Sequence, residues 1–197
     1  MAVFFLLLLS LTELVLSAPT DPNALNLSFH QSLNLSRKIL QDVQHLLLKY
    51  KQEKIGNPSF EDYNLMLGSL PSCQVDYRSW LEQQDEERLL LNCRDLQVFW
   101  MHVDTKRVHE LGQSQDSALL ESMEAISLDL RDLISQLNSQ ISALNGSSPD
   151  TSTLTLPNDV LNPLYDWHSR LQGYIIFRDL EVYLNKVVRD FTVLKKH

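Results

Sequence analysis

Glycine and cysteine are both scarce in this chain: five glycines and two cysteines among 197 residues. So little glycine argues against collagen-like or disordered chain and suits a globular, helix-rich protein. A surplus of Lys and Arg is missing too. The formal net charge of −8 removes any general argument for nucleic acid or an anionic membrane as partner, because both need excess base. Catalytic spacing is absent as well: there is no Gly-rich phosphate loop, no GxSxG elbow and no CxxC. His102 and His109 stand seven apart, whereas a zinc-binding pair on one helical face needs i, i+4. Glu82, Asp85, Glu86 and Glu87 resemble paired carboxylates, but a dipole-complementing first helical turn explains them without chemistry. His30, His45 and His102 read as solvated or partner-facing helix residues. No enzyme, metal site or cofactor is predicted.

What is present begins with a candidate secretory signal, residues 1–17. Phe4 to Leu9 form an apolar core of signal length, and Ser17 and Ala18 are small enough for cleavage after Ser17. The segment lacks Lys and Arg before its apolar run, and Glu13 interrupts it. The alternative is a buried helix start; a transmembrane anchor would need a longer run of about 18–20 apolar residues. Residues 18–197 are then one soluble, secreted domain with no membrane insertion, large enough to bury about 70% of its unfolded surface. In that compartment Asn26, Asn34 and Asn145 lie in Asn-x-Ser motifs and become N-glycosylation candidates. Cys73 and Cys93 can form one disulfide; otherwise Cys93 is a small buried hydrophobe on its helix face.

Four long amphipathic stretches follow. The first, about 21–55, carries Leu25, Phe29, Leu33, Leu40, Val43, Leu47 and Tyr50 on one face, with Ser36 in the gap. Asn26, His30, Asn34 and Arg37 fall on the other side. Asp21-Pro22 reads as an N-cap with Pro at N1, and Gly56-Asn57-Pro58 as the stop. The second, about 85–111, opens on acid and closes on Lys106-Arg107 before Gly112; Leu89, Cys93, Leu96, Phe99, Trp100 and Val103 make its apolar side. The third, about 116–145, steps through Leu119, Met123, Ile126, Leu130, Leu133, Leu137, Ile141 and Leu144 as a bundle seam. The fourth, about 162–194, is expected to start with Pro163 at N1. Its core face is Leu171, Tyr174, Phe177, Leu180, Leu184, Val188 and Phe191.

The connections decide the topology. A helix of about 28 residues is about 42 Å long, and an extended chain returning that distance needs about 12 to 13 residues. The first and third connections are long enough; the second, near Gly112, is not. Short links join antiparallel neighbours, so the all-α fold class is a long-chain four-helix bundle, up-up-down-down with two long crossover loops. A secreted bundle without chemistry acts either by receptor recognition or by binding lipid. Lipid-surface helices carry base along the polar face and lack long fixed crossovers, traits this chain does not show consistently.

Ser36-Arg37-Lys38-Ile39 with Asp42, Leu46, Tyr50 and Gly56, the segment Trp80 to Val103 with Glu87-Arg88-Leu89, Asn92 and Phe99, and Leu171, Gly173 and Asp190 together resemble a known family. It is the interleukin-6 family of four-helix cytokines, in the ciliary neurotrophic factor and leukaemia inhibitory factor branch. The resemblance covers three helices and is thin in the loops. It implies a cytokine that assembles cell-surface receptors of that class and triggers kinase–STAT signalling. The partners implied are a leukaemia-inhibitory-factor-type receptor and the shared signal-transducing receptor, with a non-signalling receptor subunit as a third.

In this branch an aromatic and a base, Phe-x-x-Lys at the start of the fourth helix, meet the leukaemia-inhibitory-factor-type receptor. The family's glycine, six residues on, corresponds to Gly173 and aligns Trp167-His168-Ser169-Arg170 with the motif. Trp replaces Phe and Arg replaces Lys, which bears on which receptor is bound; the aromatic–cation pair itself survives. Trp167 also lies between Leu164 and Leu171, so capping the core is its other reading. The resemblance places the shared receptor on the first and third helices. It places the third partner at the end of the fourth helix and the first crossover, with Arg37 matched to that surface. A signal peptide points to a leukaemia-inhibitory-factor-like or intermediate member, because ciliary neurotrophic factor has none. The alternatives are another long-chain cytokine or hormone and, behind it, a secreted lipid-binding bundle.

Overall fold

The computed structural model describes residues 22–72, 76–113 and 117–195. The signal segment 1–17, Asp21, Cys73, Lys196 and His197 lie outside the described residues. Four long helices form: α1 (Pro22–Tyr50), α3 (Asp85–Gln113), α4 (Ser117–Ala143) and α6 (Asp166–Leu194). Two short ones, α2 (Tyr77–Glu82) and α5 (Asn158–Leu161), sit inside the long connections. There is no strand among the described residues.

α1 packs on α4 and α6, and α3 packs on the same two. Every such pair is antiparallel. Lys38 of α1 is ion-paired with Asp129 of α4, and Ser32 donates to Gln136 at 2.7 Å, later in α4. At one end of α1 Asn26 meets the carbonyl of Lys195, and at the other Tyr50 meets that of Arg170. The parallel helices are therefore the diagonal ones, which is the up-up-down-down bundle.

The core follows the helical stripes. Leu119, Met123, Ile126, Leu130, Leu133, Leu137 and Ile141 of α4 are all fully buried. Along α1, Ile39 and Leu46 join the buried face, while Leu25 and Leu40 are only half-buried. α6 is apolar over far more than one stripe: Tyr174 to Phe177 are four consecutive buried residues. The first crossover explains this, because it covers the face of α6 that α1 and α3 leave open. Arg178 donates to the carbonyls of Asp62 (2.6 Å) and Leu65 (2.7 Å), and the Phe60 ring meets Tyr174 edge-on.

Several boundaries differ from the sequence expectation, each for a local reason. α1 ends through one wider π turn, Lys51–Ile55, on Gly56 in the left-handed region (φ 80°). α3 runs through Gly112 to Gln113, so Gly112 is not its stop. Lys106 does not face the helix end; it is buried against Glu110. α6 begins at Asp166 rather than 162. Asn162 precedes Pro163 and is held at φ −135°, out of the helical region. α4 ends in a Schellman motif, with Asn145 left-handed at φ 61°, Asn145 N–H donating to Ser142 O (3.0 Å) and Gly146 N–H to Ile141 O (2.9 Å).

His102 is a further correction. It is fully buried, not solvated: Nδ1 lies 2.8 Å from Val98 O and Nε2 2.8 Å from Ser69 Oγ. A carbonyl can only accept, so Nδ1 carries the proton and Nε2 accepts from the serine hydroxyl. The ring ties the first crossover to α3. Burial holds its pKa below the ordinary 6.5.

A second buried tie gathers around Asp190. Its carboxylate accepts from Arg88 (2.8 Å), Trp80 Nε1 (2.5 Å), Asn92 (2.9 Å) and Lys186 (2.9 Å). Arg88 also donates to Trp80 O (2.9 Å), closing α2 onto α3 and α6. Burial pushes the Asp190 pKa up, but the Lys186 ammonium and the hydrogen bonds from Trp80, Lys186 and Asn92 outweigh it and hold the carboxyl below its ordinary range.

Candidate receptor-binding surface

The start of α6 is built to be seen from outside. Tyr165, its N-cap residue, offers no side-chain cap, and Leu164 is 87% exposed, Tyr165 65% and Trp167 49%. Leu164 therefore marks no core stripe, and Trp167 does not cap the core. Leu161 of α5 and Val108 and Leu111 near the end of α3 are exposed apolar residues at the same end of the bundle. His109 Nε2 stands 2.8 Å from Leu161 O and holds α5 to α3.

Arg170, one turn beyond Trp167, is half-buried and clamped. Its guanidinium pairs with Asp166 (2.6 Å) and donates to the carbonyl of Lys54 (3.2 Å). Asp166, Arg170, Lys54 and Glu110 line an open pocket of about 380 Å3. Glu110 receives Lys54 at 2.6 Å and Lys106 at 2.8 Å. Burial alone would raise the Glu110 pKa; the two ammonium groups more than offset it and hold the carboxyl below its usual range. Lys106 is pushed below the ordinary lysine value by burial. Beside it the Tyr50 phenol is raised well above its ordinary value, by burial first and by Glu110 second.

This end of the bundle brings Trp167 and Arg170 together on one short stretch. Arg37 is exposed on α1. Among the Asn-x-Ser sites, Asn34 and Asn145 are exposed, whereas Asn26 is half-buried and donates its amide to Lys195 O at 3.0 Å. Asn26 therefore does not face outward as its helical position suggests. Cys93 is buried, its thiol 3.4 Å from Asn138 Oδ1, and burial pushes its pKa up to about 11. The expected partner Cys73 lies outside the described residues.

The sequence puts Tyr50 on the core face of α1, where it is buried, but does not mark the polar supports of the surface: Lys54, Lys106, Glu110 and Ser169. Lys106 and Glu110 stand at i, i+4 on α3, a spacing that suits an exposed pair equally well. Their burial depends on α6 crossing above them. Gly173 was a usable signal, because it marks where that crossing is close.

Among the described residues no group of three or more His, Cys, Asp and Glu is placed to hold a metal ion, and no helix is long and apolar enough to cross a membrane. An up-up-down-down bundle with two long crossovers is the architecture of the long-chain helical cytokines. The family model described as Interleukin 11 matches residues 19–197, and the chain belongs to that family. Human Interleukin-27 subunit alpha is 27% identical, with 85% of this chain and 74% of that protein covered. Mouse Cardiotrophin-2 is 25% identical, with 96% and 93% covered. These relatives are interleukin-6 family cytokines, in accord with the resemblance read from the sequence, and they are not enzymes.

Proposed function

We propose that this protein is a secreted cytokine that joins a leukaemia-inhibitory-factor-type receptor to the shared signal-transducing receptor, so that their cytoplasmic kinases act on each other and on STAT proteins. The observation that supports this reading is the half-exposed Trp167 beside the clamped Arg170 on an otherwise uncapped helix start. Trp and Arg are the residue types most enriched among interface hot spots, and a residue held in place before binding loses less entropy. The outward faces of α1 and α4 would serve the shared receptor.

A non-signalling receptor subunit is the third partner proposed. Exposed Tyr77 stacks on Trp80 with ring centroids 5.9 Å apart, and the Arg189 guanidinium lies 4.5 Å from the Trp80 ring centroid. This places an aromatic and a cation where the first crossover meets the end of α6. Human Interleukin-27 subunit alpha is by its name a subunit, which suits a chain with more than one partner surface. We further propose N-linked glycans at the exposed Asn34 and Asn145, and a Cys73–Cys93 bridge.

Capture of purified receptor ectodomains by the protein expressed from residue 18 onward tests the reading. Binding to both receptor types supports it; binding to neither overturns it.

A further inference from the structure

The first turn of α6 is held from beneath rather than by its own sequence. Helix starts leave several backbone N–H groups unpaired, and with no side-chain cap this one should fray. Below it, Lys106 of α3 spends all three ammonium hydrogens in fixed directions. Two go to Ser169, one to its carbonyl and one to its hydroxyl, each at 2.9 Å. The third goes to Glu110 at 2.8 Å. Glu110 in turn takes Lys54, whose own carbonyl accepts from Arg170. The loop of contacts closes through Tyr50, which donates to the Arg170 carbonyl at 3.2 Å. Lys106 and Glu110 are almost fully buried, so neither is available to a receptor.

We propose that Lys106, braced by Glu110, is a positioning residue: it holds the turn that carries Trp167 and Arg170 in the geometry a receptor meets. This rests on the receptor reading above. A turn that frays spends part of its time unable to bind, and the apparent affinity falls by the competent fraction. The loss then appears in the association rate, because a complex once formed has the same contacts. Removing a contact residue instead speeds dissociation.

The test compares Lys106→Met, Ser169→Ala and Trp167→Ala with the parent protein. Association and dissociation rates are measured on the leukaemia-inhibitory-factor-type receptor ectodomain, and amide hydrogen exchange is followed over residues 166–172. Lys106→Met is expected to lower the association rate about tenfold at an unchanged dissociation rate, with faster exchange in 166–172 and unchanged exchange in α4. Ser169→Ala, which leaves the ion pairs in place, should move both readouts the same way by less. Trp167→Ala should speed dissociation without changing exchange. Two outcomes overturn the proposal while the receptor reading stands: unchanged association in Lys106→Met and Ser169→Ala, or a loss of protection spread evenly into α4. Parent-like binding by Trp167→Ala overturns the receptor reading, and the inference with it.

Discussion

A Cβ built on Gly173 would lie 2.2 Å from the Tyr50 hydroxyl oxygen, and the same atom would meet the Lys106 side chain at 2.7 Å. The start of α6 thus passes so close to the ends of α1 and α3 that one residue must have no side chain. Gly173 is helical, and glycine within a helix costs about 1 kcal/mol relative to alanine. The close approach is what makes it necessary.

Gly173→Ala is therefore expected to destabilise the fold by about 1–3 kcal/mol despite the better helix propensity. Urea unfolding followed by circular dichroism checks it. An unchanged midpoint would mean that the Tyr50 ring and the Lys106 stem step aside at no cost. Tyr50→Phe added to Gly173→Ala should recover only part, because the ring carbon beneath the hydroxyl is 2.6 Å from the same Cβ.

Asp190→Ala removes the shared acceptor of Arg88, Lys186, Trp80 and Asn92. It leaves Arg88 and Lys186 buried without their carboxylate, a loss of about 3–5 kcal/mol. The same carboxyl sets an acid limit. Its folded pKa lies below the ordinary 3.8, so its stabilisation is complete above that value and is lost as pH falls through the folded pKa. Glu110 behaves likewise below its ordinary 4.5. The part of the acid loss owed to these two carboxylates should set in below about pH 5 and steepen from there. Asp190→Asn should be less stable at neutral pH and show a shallower acid drop; a slope equal to the parent's would contradict the assignment.

His102 predicts a separate, milder pH response. Its folded pKa is lowered from 6.5, so the neutral ring stabilises the fold above pH 6.5, and that contribution is lost as pH falls through the folded value. A proton on Nε2 also destroys the acceptor that takes the Ser69 hydroxyl. Hydrogen exchange in residues 60–70 should quicken as pH is lowered from 7 to 5, after correction for intrinsic rates. His102→Gln should abolish that pH dependence.

Trp167→Ala is expected to cost at least about 2 kcal/mol in receptor binding, roughly thirtyfold, if the residue is an interface anchor. Its helical circular dichroism and thermal midpoint should match the parent within the scatter of an exposed substitution. Loss of helix content in the variant would place the indole in the fold instead.

The residues that carried the family resemblance turn out largely to hold the bundle together. Trp80, Arg88, Asn92 and Asp190 meet in one buried network, and Tyr50 and Gly173 meet at the other end of α6. Each was readable as a matching residue, but not as a contact. Asp190 is 102 positions from Arg88, and nothing local in either helix marks them as partners. His102 misled for the same reason: on a helix wheel it lies beside polar residues, and segments distant in the chain, the crossover at Ser69 and the neighbouring α5 and α6, enclose it.

Periodicity, connection length and helix stop signals are local properties, written every three or four residues or counted along the chain. The sequence by itself therefore determined four helices, the core face of α4 and the up-up-down-down order. Which polar groups are buried, where α6 begins and which end of the bundle exposes Trp167 depend on segments far apart in the chain coming to lie against one another. A long-range contact has no period to reveal it, so only the tertiary structure decided that Lys106 and Glu110 lie beneath the turn bearing Trp167 and Arg170.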